Sequence, residues 1–202
     1  MKYLIGLTGN IGSGKSTVLR MLEQLGAKAV NADVLVHEVM SKGTTVWQAI
    51  VDTFGEEVLA DEGEIDRKKL GSLVFKDHEA LERLENIVHP AVDELFREIV
   101  QRSEEAVIAV EAIKITESGA YGELDALWLV TCPAEERLRR LLETRDVNEE
   151  DIERRLRSQM SPEKQAELAD VVIDNGGTLQ QTWEQVEREW DKIWEGEQCP
   201  EK

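Results

Sequence analysis

The residues Gly9–Ser16, GNIGSGKS, carry the first recognisable chemistry in the chain. Glycine loses more backbone entropy on folding than any other residue, so glycines this dense suit neither a strand nor a helix interior. Their spacing, G-x-x-x-x-G-K-S, is that of a phosphate-binding loop. Gly12, Ser13 and Gly14 allow successive backbone N–H groups to turn inward as an anion nest. Lys15 adds a full positive charge for the β- and γ-phosphates of a nucleotide, and Ser16 a hydroxyl ligand for Mg²⁺. Thr17 continues into a helix whose N-terminus aims positive potential at the same spot. The G-x-G-x-x-G spacing of dinucleotide-binding loops does not occur here.

A second chemical group follows in NADVLVHE. Asp33 falls at the end of a short apolar run, where a carboxylate serves either as an acceptor for a substrate proton or as a helix N-cap. His37 lies one helical turn further on, facing either the same cleft or a packed helix interface. The densest basic cluster, Glu135–Gln159, interleaves Arg137, Arg139, Arg140, Arg145, Arg154, Arg155 and Arg157 with acids. Arginine matches phosphate with a two-pronged fork, but most of this cluster reads as a solvated helix pair laced with ion pairs.

The elements that must position these groups alternate in type. Tyr3–Leu7 is a near-continuous apolar run, as expected of a strand buried on both faces, and Ser16–Gly26 has helical spacing with Gly26 as its stop. Further strands are expected at Ala27–Val30, Ala106–Ile113, Leu127–Thr131 and Asp170–Ile173. Helices are expected at Val34–Met40, Val46–Leu59, Asp77–Gln101, Ala134–Thr144, Glu149–Gln159 and Thr178–Trp194, with Pro90 breaking or restarting the third of these. The last carries Trp183, Val186, Trp190, Ile193 and Trp194 on one stripe, which reads as core. The pattern predicts an α/β fold, a parallel sheet of the P-loop NTPase type flanked by helices, with ligands bound past the carboxyl ends of the strands.

Composition narrows the class. The chain has 202 residues, 41% hydrophobic and 33% charged, with a formal net charge of −18. That charge excludes nonspecific nucleic-acid binding and demands a locally positive phosphate site. The apolar runs fall short of the roughly 20 residues that span a bilayer, and the start MKYLIGLTGN lacks the apolar length of a signal peptide. With its two cysteines, Cys132 and Cys199, away from metal-ligand spacing, the chain reads as cytoplasmic, and as a monomer or weak homo-oligomer. The guanine-reading N-K-x-D string of switch GTPases is absent, and DTFG at Asp52–Gly55 sits in a helical pattern. A small-molecule kinase is the better reading. A catalytically silent nucleotide-binding module is the alternative from another class.

GLTGNIGSGKST, NADVLVHEV, IDRKKLGSLVF, LERLENIVHPAV and ADVVIDNGG, in that order and separation, resemble the dephospho-coenzyme A kinase family from Tyr3 to about Glu189. The resemblance implies ATP and Mg²⁺ as cofactors and the 3′-hydroxyl of dephospho-coenzyme A as acceptor; the rival within the class is a nucleoside monophosphate or small hydroxy acid. It implies a single kinase domain with its core at about 1–33, 104–134 and 168–195. A helical acceptor-binding region would span about 34–103, and a helical lid about 135–167. By the same resemblance, Asp33 is the base or orienter toward the hydroxyl, with Arg67, His89 and Glu117 on the acceptor side, where His37 is placed by its position one turn after Asp33. Arg140 and Arg155 fall on the family's lid arginines, and Asn175 lies in the segment near the adenine ring. Two departures stand out. The arginine after Arg140 comes one place late, at Arg145. After the third strand the chain reads EAIKITESG, with Glu111 where the family has aspartate and Lys114 within a replaced apolar run. Glu111 at that position would join Ser16 in holding Mg²⁺, and Lys114 would pair with a substrate phosphate or with Glu117.

Overall fold

Five short runs rich in Val, Ile and Leu form the strands of one sheet. The computed structural model describes residues 2–111, 124–143 and 162–195. Within them the strands are β1 (Tyr3–Thr8), β2 (Lys28–Asn31), β3 (Val107–Glu111), β4 (Ala126–Thr131) and β5 (Val171–Asp174). The helices in chain order are α1 (Lys15–Gln24), α2 (Ala32–Val39), α3 (Thr45–Phe54), α4 (Arg67–Val74), α5 (His78–Arg102), α6 (Ala134–Glu143), α7 (Pro162–Leu168) and α8 (Leu179–Glu195). The spatial strand order is β2-β3-β1-β4-β5, and every pairing is parallel. The described residues fall into two compact units, one built around the sheet and the other comprising Ala32–Arg102.

In the sheet unit the apolar residues are buried on both faces, which is why the strands show no polar alternation. On one face Ile5, Leu7, Ala109, Trp128 and Ile173 pack with Val18 and Leu22 of α1 and with Val186, Trp190 and Ile193 of α8. Side chains of this size contribute about 1.5–3 kcal/mol each when fully buried. The tryptophan stripe is core, as its spacing predicts. Trp183 and Trp194 lie partly buried against the same cluster, and Trp194 meets Trp190 edge-on at 5.8 Å. Ile108, Val110, Leu127 and Leu129, whose side chains alternate onto the other face, are buried too.

Because the strands are parallel, their carboxyl ends share one edge. β1 releases the glycine loop there, Asn31 pairs with Glu111, and Thr131 pairs with Asp174. At the opposite edge, carboxylates satisfy amides where strands begin. Asp125 Oδ2 accepts from Leu4 N at 2.8 Å, and Asp170 Oδ2 from Leu127 N at 2.7 Å. Burial, and then the charges of these two acids, push the Tyr3 phenol above its ordinary pKa.

The second unit is helical. α2, α3 and α4 each pack on α5 through residues such as Leu35, Ile50, Leu70, Val88, Val92 and Phe96. Thr44 caps α3 by accepting from Trp47 N at 3.0 Å, and Asp66 caps α4 by accepting from Lys68 N and Lys69 N. The α4 amides, Lys69 N foremost, hold the Asp66 carboxyl below its ordinary pKa.

Three expectations need correction here. α5 runs unbroken through Pro90. Pro90 supplies no N–H to the Asn86 carbonyl, but both residues are exposed, so that carbonyl is open to solvent, while packing against three helices holds the two halves in line. The helix expected at Val46–Leu59 stops at Phe54, because Gly55 adopts φ 84°, and a single 3₁₀ turn, Glu56–Val58, follows. Within the helical region expected at about 34–103, α4 was not expected as a separate helix, although its Asp66 cap stands in the sequence. The helix expected at Glu149–Gln159 lies outside the described residues.

Candidate active site

The glycine loop links β1 to α1 within the sheet unit. Gly14 adopts φ +92°, in the left-handed region, and a methyl group there would collide with Asn175 Nδ2. The close approach is a hydrogen bond, in which Asn175 Nδ2 donates to the Ser13 carbonyl at 2.8 Å. At its other end Asn175 Oδ1 accepts from Thr182 Oγ1 at 3.0 Å. Asn175 and Thr182 are 2% and 0% exposed. The backbone of Asn175 is engaged as well, its N–H to Thr131 O and its carbonyl to Arg140 Nη2. Asn175 is therefore a brace for the loop, with its side-chain amide engaged at both ends.

Lys15 is 6% exposed, and its Nζ donates to the Gly9 carbonyl at 2.9 Å, which folds the side chain back along the loop. Arg140 on α6 reaches the same place. Its Nη1 lies 3.4 Å from where a Gly14 methyl would sit, and its Nε donates to Glu136 Oε1 at 3.0 Å. Glu136 also accepts both prongs of Arg139. The Arg139 guanidinium, and after it that of Arg140, hold the Glu136 carboxyl down to about 2.

Ser16 and Glu111 meet where α1 begins and β3 ends. Ser16 Oγ donates to Glu111 Oε1 at 3.2 Å. Glu111 Oε2 is buried and has no hydrogen-bond partner among the described residues. A hydroxyl beside a carboxylate with an unsatisfied oxygen is a donor set that fits Mg²⁺, which takes few protein ligands and completes its octahedron with phosphate oxygens and water.

The second unit carries the other expected residues. Asp33 is exposed in the first turn of α2, so it is a helix residue and not the N-cap; there its charge complements the helix dipole. His37 lies one turn on, and with Arg67 it lines a cavity of about 270 Å³ together with Met40, Ser41, Glu64 and Ile65. Glu64 is fixed by the Lys42 amide at 3.1 Å. His89 is half-buried on α5 and does not line that cavity. One turn further on, burial raises the pKa of Asp93 against the opposing charges of Arg97 and His89. Glu117, Lys114, Arg145 and Arg155 lie outside the described residues. Burial pushes the Cys132 thiol above its ordinary pKa, so it is not primed as a nucleophile.

Sequence reasoning missed the Asn175–Thr182 brace and the role of Glu136. The only local signal for the latter is an acid four residues before Arg140.

A five-stranded parallel sheet whose central strand runs into a glycine-lysine loop and helix defines a protein of the phosphate-loop nucleotide-binding class. Shikimate kinase from Acinetobacter baumannii shares this fold, with a TM-score of 0.53 at 19% identity over 98% of this chain and 96% of that one. Within the class, residues 3–181 match the dephospho-CoA kinase family, and the chain belongs to that family. A dephospho-CoA kinase of Aquifex aeolicus is 43% identical over 190 residues, 94% of this chain and 96% of that one. The structure of dephospho-CoA kinase from Campylobacter jejuni aligns with a TM-score of 0.69 at 30% identity, covering 97% of this chain and 99% of that one.

Two predictions follow from this geometry. Asn175→Ala strands the Ser13 carbonyl and the Thr182 hydroxyl, so stability should fall by about 1–3 kcal/mol in urea denaturation, with faster amide exchange at Gly14 and Lys15. Glu136 has an ordinary pKa of 4.5 and a folded value of about 2, so between those values the unfolded chain binds the extra proton. Its contribution to stability is full above about 4.5 and fades as the pH falls toward 2. Glu136→Gln should therefore lose less stability than wild type over that acid range.

Proposed function

We propose that this chain transfers the γ-phosphoryl group of ATP to the 3′-hydroxyl of dephospho-coenzyme A, giving coenzyme A and ADP. The observation that carries the reading is a braced phosphate loop, with Lys15 and Arg140 against it, in a chain of the dephospho-CoA kinase family.

Phosphoryl transfer spreads charge over the γ-phosphate oxygens, so catalysis is largely positioning and electrostatics. The amides of Gly12–Thr17 and the N-terminus of α1 hold the phosphates, Lys15 and Arg140 neutralise developing charge, and Arg155 is assigned to the same phosphates. Ser16 and Glu111 are the residues assigned to Mg²⁺, which when bound would offset negative charge on the phosphates. Asp33 orients the acceptor hydroxyl and accepts its proton. His37 and Arg67, in their cavity, together with His89 and Glu117, bind the acceptor. The base is read near Asn175 by backbone groups, since its amide holds the loop.

On this reading about 34–103 is the acceptor-binding region and about 135–167 the lid. The enzyme works in the cytoplasm, as a monomer or weak homo-oligomer, on small molecules and not on nucleic acid or membranes. Among the described residues no helix is long and apolar enough to cross a membrane.

The test is ADP release from Mg-ATP with dephospho-coenzyme A, against adenosine monophosphate and small hydroxy acids as rival acceptors. Turnover is expected on dephospho-coenzyme A alone; turnover on a rival instead would replace the acceptor. Asp33→Asn should lower kcat by about 10²–10⁴-fold while ATP affinity is unchanged. Glu111→Gln should raise the Mg²⁺ concentration for half-maximal rate by about tenfold or more, and an unchanged Mg²⁺ dependence would remove Glu111 from the metal site.

A further inference from the structure

Behind the phosphate loop, two residues with unpaired buried polar atoms line one small cavity. Ser13 Oγ and Arg137 Nε are both buried, and neither has a hydrogen-bond partner among the described residues. Both residues line a cavity of about 20 Å³, bounded also by Asn10, Cys132 and Gln165. Ser13 is 1% exposed. Leaving such atoms unpaired is costly, and native structures rarely do so without an internal water.

The size of the cavity selects its occupant. A water needs about 10–15 Å³ on this measure, so the space takes one water and excludes a phosphate or any organic group. The chemistry agrees. Arg137 Nε–H only donates, whereas a hydroxyl both donates and accepts, so one water accepting from Arg137 and bonded to Ser13 satisfies both atoms. Asn10 and Gln165 are already joined, Gln165 Nε2 donating to Asn10 Oδ1 at 3.1 Å.

We propose that this cavity holds one buried water linking Ser13 to Arg137, and that Arg137 acts through it as a positioning residue for the phosphate loop. Asn175 already fixes the Ser13 carbonyl, and the water fixes its hydroxyl. With both ends of Ser13 held, the amides on either side keep their inward direction. α6 is close enough to serve as the anchor, since the Arg137 carbonyl lies 3.2 Å from where a methyl on Gly12 would sit. In this role Arg137 works through its Nε–H and not its charge, unlike Arg140.

That distinction gives the test. Arg137→Gln keeps an N–H at the bonded position of Nε and discards the charge. Arg137→Lys keeps a charge but puts a methylene at that position, and Arg137→Met loses both. The proposal rests on the loop's assignment to nucleotide, so affinity is measured with ATP alone by calorimetry. A wrong acceptor would leave that readout intact. The water is read separately in a crystal structure of the unliganded protein at high resolution, and circular dichroism melts verify that each variant is folded. The expected result is one water within hydrogen-bond distance of both atoms, near-wild-type ATP affinity in Arg137→Gln, and binding weaker by about tenfold in Arg137→Lys and Arg137→Met. Ser13→Ala approaches the same cavity from the loop side and should weaken ATP binding to a similar degree. Its combination with Arg137→Met should be no worse than the weaker single variant, because both remove the same link. The proposal is overturned if Arg137→Lys binds like wild type while Arg137→Gln does not. Additive losses in the double variant, or a crystal structure in which Arg137 Nε bonds directly to protein, would overturn it as well.

Discussion

The hydrogen bond from Asn175 Nδ2 to the Ser13 carbonyl holds the element on which the rest of the site depends. A phosphate loop must keep several N–H groups pointing inward, unpaired with protein, in a conformation that glycine reaches but does not prefer over others. The loop holds part of itself, with Ser13 N–H donating to the Asn10 carbonyl and Lys15 Nζ to the Gly9 carbonyl, but the Ser13 carbonyl has to be held from outside. Asn175 does this at the centre of the loop and is itself held by Thr182 of α8 and the backbone of β4. The order of the loop is thus borrowed from the last strand and last helix of the chain.

The parallel sheet makes that borrowing possible. With all strands running the same way, every strand end that carries chemistry arrives at one edge: the loop after β1, Glu111 at the end of β3, and Asn175 just after β5. The acids at the other edge, Asp125 and Asp170, close the amides where β1 and β4 begin, so the sheet's register is fixed away from the site. Buried side chains on both faces leave little room for the strands to slide, and the position of Glu111 relative to Ser16 follows from that register.

What the sequence made legible was what is local. The phosphate loop is one contiguous string, the five strands are short apolar runs, and the α8 stripe has its period within a single helix. What stayed hidden depended on distance or context. Asn175 and Ser13 are 162 residues apart, and nothing in either neighbourhood says that an amide will reach the loop. Pro90 is read locally as a breaker, yet packing along α5 on both sides outweighs one lost hydrogen bond at an exposed turn. The helix α4 escaped because its period is short and its flanks are charged, although the cap at Asp66 was visible. Among the arginines, composition alone could not separate Arg140 from its neighbours; the separation comes from which side chain reaches Gly14 and which stays in surface ion pairs, as Arg139 does with Glu136 and Glu143.

The acidic surplus of the chain, −18, stands against an anion site only if charge is averaged over the molecule. At physiological salt, exposed charges farther than about 8 Å are largely screened, so what a phosphate meets is its immediate shell. That shell consists of amides, a buried lysine and an arginine. The acids nearest to it have work of their own. Glu136 ties Arg139 and Arg140 together, so Arg140 does not have to give up side-chain freedom when a ligand arrives. Glu111 accepts from the Ser16 hydroxyl, and on the proposed assignment of Mg²⁺ to this pair its charge would favour the metal more than it would repel a phosphate. The local field is therefore set by a few positioned groups and not by the global charge.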